Sequence, residues 1–352
     1  MNNSNLQKVF YCFYIVLLIL FLIIPMNVSA KEYRWKVVCT VAGSADEEAL
    51  NSVARDIDVA TNGQIKMDIF YPGEHPYQGA DILRAISIGE IDIAGLIGGY
   101  ISGIEPIFAV TDIPLLIPYG DFDTYLLLFE ELKNGYYKEV FSKWNIKEIF
   151  TLHKSGQQFY LKDGWIENFD SLKGKRIRTW CAEVTDFIKL MNGIPVTIPL
   201  GENYTSLQTG LLDGTTTNIV AARRNNIFDL CKNVVIGEHA FGAGMYVINL
   251  NAWNELPIEL QEIATEVFET NRKKFERSYQ TEAAVVLQTL FITQEVKAHP
   301  IPKAFREELM NRAYDAIWKP WIDRAGKSGQ EAFDLVVNIL EKKGYDLPVP
   351  KK

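Results

Sequence analysis

An α/β protein in two lobes is what this sequence predicts, on three observations. Strand-like and helix-like segments alternate from residue 34 onward, which implies a parallel sheet flanked by helices. The segment 91–97 (IDIAGLI) is almost wholly apolar, the mark of a strand covered on both faces. The segment 258–293 runs for over thirty residues without Gly or Pro, far beyond the ~10–14 residues of an ordinary globular helix. At 1.5 Å per residue such a helix is ~50 Å long, enough to cross two lobes. A chain of 352 residues also exceeds what one core usually serves.

The elements follow in order. Residues 1–30 hold one charge, Lys8, then a nearly continuous apolar run at 10–26 and a small-x-small site at Val28-Ser29-Ala30. That is a cleavable secretory signal pattern, although its length leaves an uncleaved anchor open. Residues 34–41 (RWKVVCTV) read as a strand. Residues 45–62 read as a helix, with Leu50, Val53, Ala54 and Ile57 on one face and Asn62-Gly63 ending it. In residues 64–71, Ile65, Met67 and Ile69 alternate as in a strand. A short helix at 80–87 leads to the apolar strand, then a helix in two pieces covers 121–144, broken near Asn134-Gly135, and a strand covers 146–153.

A second lobe begins near residue 156. Strands are expected at 157–161, 176–180, 196–198 and 245–250, with helices at 183–191 and 202–211. Pro257 suits the first turn of the long helix, and helices at 303–319 and 328–343 close the chain. Residues 31–155 plus 243–282 form lobe I on this reading, and 156–242 plus 283–352 form lobe II.

Composition excludes several functions. The formal net charge is −8 and becomes more negative by one without Lys8. An exported acidic protein is a poor partner for nucleic acid or anionic membranes. Removing Cys12 with the signal leaves Cys39, Cys181 and Cys231, an odd number that argues against a disulfide scaffold, while a Cys181–Cys231 bridge stays open. The histidines (His75, His153, His239, His299) form no metal-binding pair at helical spacing. The AGKSG at 325–329 has Trp321 where a phosphate loop requires glycine. No catalytic motif is visible, and an enzyme is not expected.

The chemistry that is present lies in SLKGKRIRTWCA at 171–182. On a strand, Arg176, Arg178 and Trp180 share one face. A buried guanidinium needs an anion, supplied either by an internal ion pair or by a ligand carboxylate held through two parallel hydrogen bonds.

The segments GEIDIAG (89–95), VTDIPLLIP (110–118), FDSLKGKRIRTW (169–180) and VTIPLGENYTSLQTGLLDG (196–214), together with the long helix, give the chain a likeness that covers residues 31–345. It resembles the solute-binding proteins of TRAP transporters, the DctP-type family. YRWKVV (33–38) and SGQQFY (155–160) are similar to the 2-oxo acid and lactate-type branch. The resemblance implies a two-lobed, class II-like periplasmic binding protein, each lobe a mixed, mostly parallel sheet flanked by helices, with one long helix shared.

It further implies a small organic acid as ligand, delivery to the membrane subunits of a sodium-driven permease, a periplasmic location, and a monomer or dimer. Arg178 falls at the family's carboxylate clamp and Arg176 at a peripheral position. Gln157, Gln158, Tyr100 and Trp180 fall at or beside ligand positions, as do Thr216, Thr217 and Asn218, and the loop near Val41-Ala42 is expected to contribute from lobe I. In the 2-oxo acid branch a glutamate near Thr216-Thr217 holds a cation. A threonine lacks the anionic oxygen a hard cation prefers, so no metal is expected here. A binding protein serving an ABC permease or a sensor is the alternative reading.

Overall fold

A computed structural model of the chain describes residues 31–40, 45–77, 79–293 and 296–350. The signal segment and Val41-Ala42 lie outside them. The first lobe holds β1 (Tyr33–Val38), α1 (Ala45–Ala60), β2 (Ile65–Phe70), α2 (Ala80–Ser87) and β3 (Ile93–Ile97). A short α3 (Gly98–Ile101) follows, then a 3-10 stretch at Pro106–Asp112, α4 (Phe122–Leu132), α5 (Lys138–Lys143) and β4 (Ile146–Lys154). The α1 helix forms for legible reasons. Asp46, Glu47 and Glu48 stand at its positive end, and Leu50, Val53 and Ile57 are buried on one face. Asn62 and Gly63, both at positive φ, then turn the chain into β2.

The second lobe holds β5 (Gln157–Leu161), β6 (Arg176–Thr179), α6 (Ala182–Leu190), β7 (Ile194–Thr197), α7 (Asn203–Gln208) and β8 (Gly214–Asn218). After it come α8 (Ile219–Arg224), α9 (Ile227–Leu230) and β9 (Asn233–Ile236). The chain then returns to the first sheet as β10 (Gly242–Asn249), followed by α10 (Leu250–Asn254), α11 (Ile258–Thr293), β11 (Lys297–Pro300), α12 (Lys303–Ala313) and α13 (Lys319–Lys342).

Two sheets result, ordered β2-β1-β3-β10-β4 and β11-β9-β5-β8-β6-β7. Both are mixed. β1 is parallel to β2 and β3, but β10 runs antiparallel to β3 and β4 because it arrives from the other lobe, not through a helical crossover on the first sheet. All eight residues of β10 are buried. Two short crossings, 155–156 and 237–241, join the sheets.

The long helix is α11, 36 residues. Leu260, Ala264 and Phe268 from its first half pack with Trp35, Val53 and Phe150 of the first lobe. Tyr279, Ala283, Val286 and Leu290 from its second half pack with Leu207, Ile227 and Phe228 of the second. The C-terminal helices brace the join. Trp318 and Trp321 are fully buried, and their indole N–H groups donate to the carbonyls of Pro114 and Pro106 at 3.0 and 2.8 Å. No helix among the described residues is long and apolar enough to cross a membrane. Cys181 and Cys231 are both buried free thiols, so the bridge left open between them is not formed.

Candidate functional site

Both sheets turn strand ends toward one cavity. Parallel strands β3, β6 and β8 deliver Ile97, Arg178 and Thr217–Asn218 from their carboxyl ends. The antiparallel strands β5 and β10 deliver Gln157, Gly242 and Ala243 from their amino ends. This is where ligands sit in open α/β sheets. The cavity is about 90 Å³.

Arg178 dominates its inner end. The residue is 2% exposed. Nε donates to the Ile198 carbonyl at 3.0 Å, Nη1 to the Thr216 carbonyl at 3.1 Å and Nη2 to the Tyr100 hydroxyl at 3.2 Å. These acceptors are neutral, and no carboxylate pairs with Arg178 among the described residues. The guanidinium keeps donors to spare. Trp180 lies beneath it, with its ring centre 5.6 Å from the guanidinium carbon. The Trp180 indole N–H donates across the lobes to Asp112 Oδ1 at 3.1 Å.

Asp112 is the group the sequence reading missed. It lines the cavity, is 2% exposed and has no cationic partner among the described residues. Burial pushes its carboxyl up to about 8, against the opposing Trp180 hydrogen bond and helped by the charge of Glu183. A single acid inside the apolar run VTDIPLLIP was the available signal.

The outer end is different. Lys154 Nζ pairs with Asp46 Oδ2 at 2.6 Å, with both side chains nearly buried, and the Tyr246 hydroxyl donates to Asp46 Oδ1 at 3.1 Å. Arg224, on α8, is held by two carboxylates: Glu282 on α11 at 2.7 Å and Glu48 on α1 at 3.0 Å. Sequence spacing gave no hint of these partners, which come from separate elements.

Of the expected site residues, Arg178, Gln157, Tyr100, Trp180, Thr217 and Asn218 line the cavity. Asn218 also caps α8 by accepting from the Ala221 N–H, and it accepts from the Tyr279 hydroxyl. Gln158 and Thr216 do not reach the cavity. Strand alternation turns Gln158 away from Gln157. Its amide oxygen accepts from the N–H groups of Gly237 and Glu238, and its amide N–H donates to the Gly156 carbonyl, so it pins the two crossings together. The Thr216 hydroxyl is spent on the Arg178 carbonyl at 3.3 Å. Arg176 forms a forked pair with Asp213, both bonds 2.9 Å, and this pairing lowers the Asp213 carboxyl from its usual range. The loop at Val41-Ala42 lies outside the described residues. Among the described residues no cluster of three or more His, Cys, Asp or Glu could hold a metal ion.

Residues 40–323 match the family described as bacterial extracellular solute-binding protein, family 7 (DctP). A curated protein of Haemophilus influenzae, itself uncharacterised, is 24% identical over 275 residues, 76% of this chain and 81% of its own length. The DctP7 extracytoplasmic solute receptor of Bordetella pertussis, solved as binding pyroglutamic acid, superimposes with a TM-score of 0.78 at 17% identity, covering 86% of this chain and 99% of that one. A TRAP periplasmic solute-binding protein of Desulfovibrio salexigens with bound orotic acid gives 0.77 at 21% identity, covering 88% and 99%.

Proposed function

This chain belongs to the DctP family of bacterial extracellular solute-binding proteins, and from that premise we propose that it captures a small organic acid between its lobes and hands it to a sodium-coupled TRAP permease. Arg178 is the carboxylate clamp. The observation that carries this reading is a guanidinium buried on the cavity wall with neutral acceptors only. Burying a charge is costly unless it is paired, so the missing counter-charge is the ligand's to bring. A carboxylate accepts two parallel N–H bonds from such a fork.

Size supports the same class. At ~10–15 Å³ for each water, a cavity of this volume takes a molecule of roughly six to nine non-hydrogen atoms. Pyroglutamic acid, held by one of the solved relatives described above, is an acid of this size.

Closure follows from where the walls come from. Tyr100 and Asp112 belong to the first lobe, whereas Arg178, Trp180, Thr217 and Asn218 belong to the second. A ligand touching both favours the closed arrangement by its contacts with each, a hinge closure about a fixed site.

Calorimetry tests the clamp with a panel of small acids, pyroglutamate first. Each charge-assisted hydrogen bond contributes about 1.5–3 kcal/mol, so Arg178→Ala abolishes measurable binding while Arg176→Ala binds as the parent does. Equal losses at both positions would sink the assignment. Transport of the bound acid in vesicles carrying the cognate permease, with and without a sodium gradient, tests the delivery step.

A further inference from the structure

We propose that Asp112 is the specificity-determining group of this cavity: it presents a neutral carboxylic acid to the cavity that Arg178 also lines, so the ligand is a monocarboxylate carrying a hydroxyl, oxo or lactam group, and neither a dicarboxylate nor an amino-acid zwitterion. The inference rests on the Arg178 clamp as the seat of the ligand carboxylate.

Three observations carry it. Asp112 faces the cavity, yet Oδ2 has no hydrogen-bond partner among the described residues, while Oδ1 accepts only the Trp180 indole N–H. A carboxylate this deeply buried, with one donor and no cation, keeps its proton. The balance of fixed charge around the cavity points the same way. Lys154 is matched by Asp46, and Arg224 by Glu48 and Glu282. Arg178 is the only unmatched cation on the wall among the described residues, so the site neutralises one negative charge, and a second carboxylate would meet cations already satisfied. A protonated Oδ2 donates a hydrogen bond to an oxygen acceptor. It offers an ammonium group no counter-charge.

The titratable groups facing Asp112 are Glu183 and Cys181 at the start of α6, Tyr125 on α4, and Tyr137 just after α4. Glu183 resists ionisation of Asp112, and burial holds both tyrosines and the Cys181 thiol neutral. The carboxyl, pushed up to about 8, is therefore the group facing the ligand that titrates just above neutrality.

The test measures dissociation constants from pH 6 to 10 for pyroglutamate, orotate and lactate, with succinate and alanine as the dicarboxylate and zwitterion probes. The expected result is a preference for the monocarboxylates. Their Kd is flat below about pH 8 and rises about tenfold per pH unit above it as one proton is lost. In Asp112→Asn, which cannot ionise, that alkaline rise disappears. Independently of any ligand, infrared difference spectra of the parent between pH 6 and 10 show loss of a protonated-carboxyl band that Asp112→Asn lacks. A Kd flat to pH 10, a preference for succinate or alanine, failure of all three monocarboxylates to bind, or no such band overturns the inference. If Arg178→Ala binds pyroglutamate as well as the parent does, the clamp itself has failed. If that variant loses binding while the parent profile stays flat, only the Asp112 inference has.

Discussion

The two ends of the cavity solve opposite problems with the same residue types. At the outer end every cation is already matched: Lys154 with Asp46, and Arg224 with Glu48 and Glu282. At the inner end Arg178 meets two carbonyls and a hydroxyl, and Asp112 meets one indole N–H. The outer end is finished without a ligand and ties α1, α8 and α11 together. The inner end holds a cation without a carboxylate partner among the described residues, and on the proposed reading a ligand supplies it. Internal pairing, more than the number of charges, separates scaffold from site here.

The largest effect that would break the contrast is on stability at the outer end. Lys154→Ala leaves Asp46 nearly buried with Tyr246 as its remaining donor, and removing one partner of such a pair typically costs about 3–5 kcal/mol. Urea unfolding should show that loss, whereas Arg178→Ala should lose ligand with much less loss of stability. If the two variants exchange phenotypes, the division of labour is wrong.

A next test acts on closure at the inner end. A Cβ on Gly99 would lie 2.7 Å from Trp180 Cδ1 and 3.1 Å from Cys181 Cβ, contacts between the lobes. Overpacking of this kind costs about 1–3 kcal/mol. Gly99→Ala should therefore weaken binding by roughly 5- to 150-fold while small-angle scattering shows a more open molecule. Unchanged affinity would mean the lobes close without this contact.

Behind Trp180 lies His239, on the 237–241 crossing, packed against Phe159, Phe187 and Trp180. Neither ring nitrogen finds a partner among the described residues, and burial lowers its pKa to about 3 from 6.5. The unfolded chain therefore takes up a proton that the folded one refuses. The stability this neutral ring supports is complete above pH 6.5 and is lost as pH falls toward 3. His239→Leu should unfold with a flatter pH dependence across that window and, freed of unpaired polar atoms, gain about 1–3 kcal/mol. A pH profile identical to the parent's would rule the ring out as the titrating group.

The smallest effect belongs to Glu48, 60% exposed as a side chain. Glu48→Gln leaves Arg224 on Glu282 and removes one tie between the lobes. A pair of this exposure contributes about 0–1 kcal/mol, and less in high salt. Ligand release should speed up slightly at low ionic strength, and the difference should vanish in salt.

Much of the fold was legible because local chemistry writes it. The all-apolar 91–97 announces a covered strand, Asn62-Gly63 a helix stop, and the unbroken 258–293 a helix with lobes at both ends. The distinction between Arg176 and Arg178 was legible only through a family motif. Alternation alone placed both on one face, and the forked pair with Asp213 separates them. Gln158 was misplaced because neighbouring glutamines read alike until a register assigns one to each face of β5. Asp112 and Trp180 meet across 68 residues, and Asp46 and Lys154 across 108. No periodicity spans such distances.

The sequence by itself therefore determined the α/β class, the extent of the long helix, the family and the presence of an arginine needing an anion. These depend on side-chain order over a few turns, where sterics and hydrophobic period act directly. The tertiary structure alone decided which charges are matched and which are not. Pairing depends on contacts between elements far apart in sequence, and an ionisable group acquires its character from the water it loses and the partner it finds.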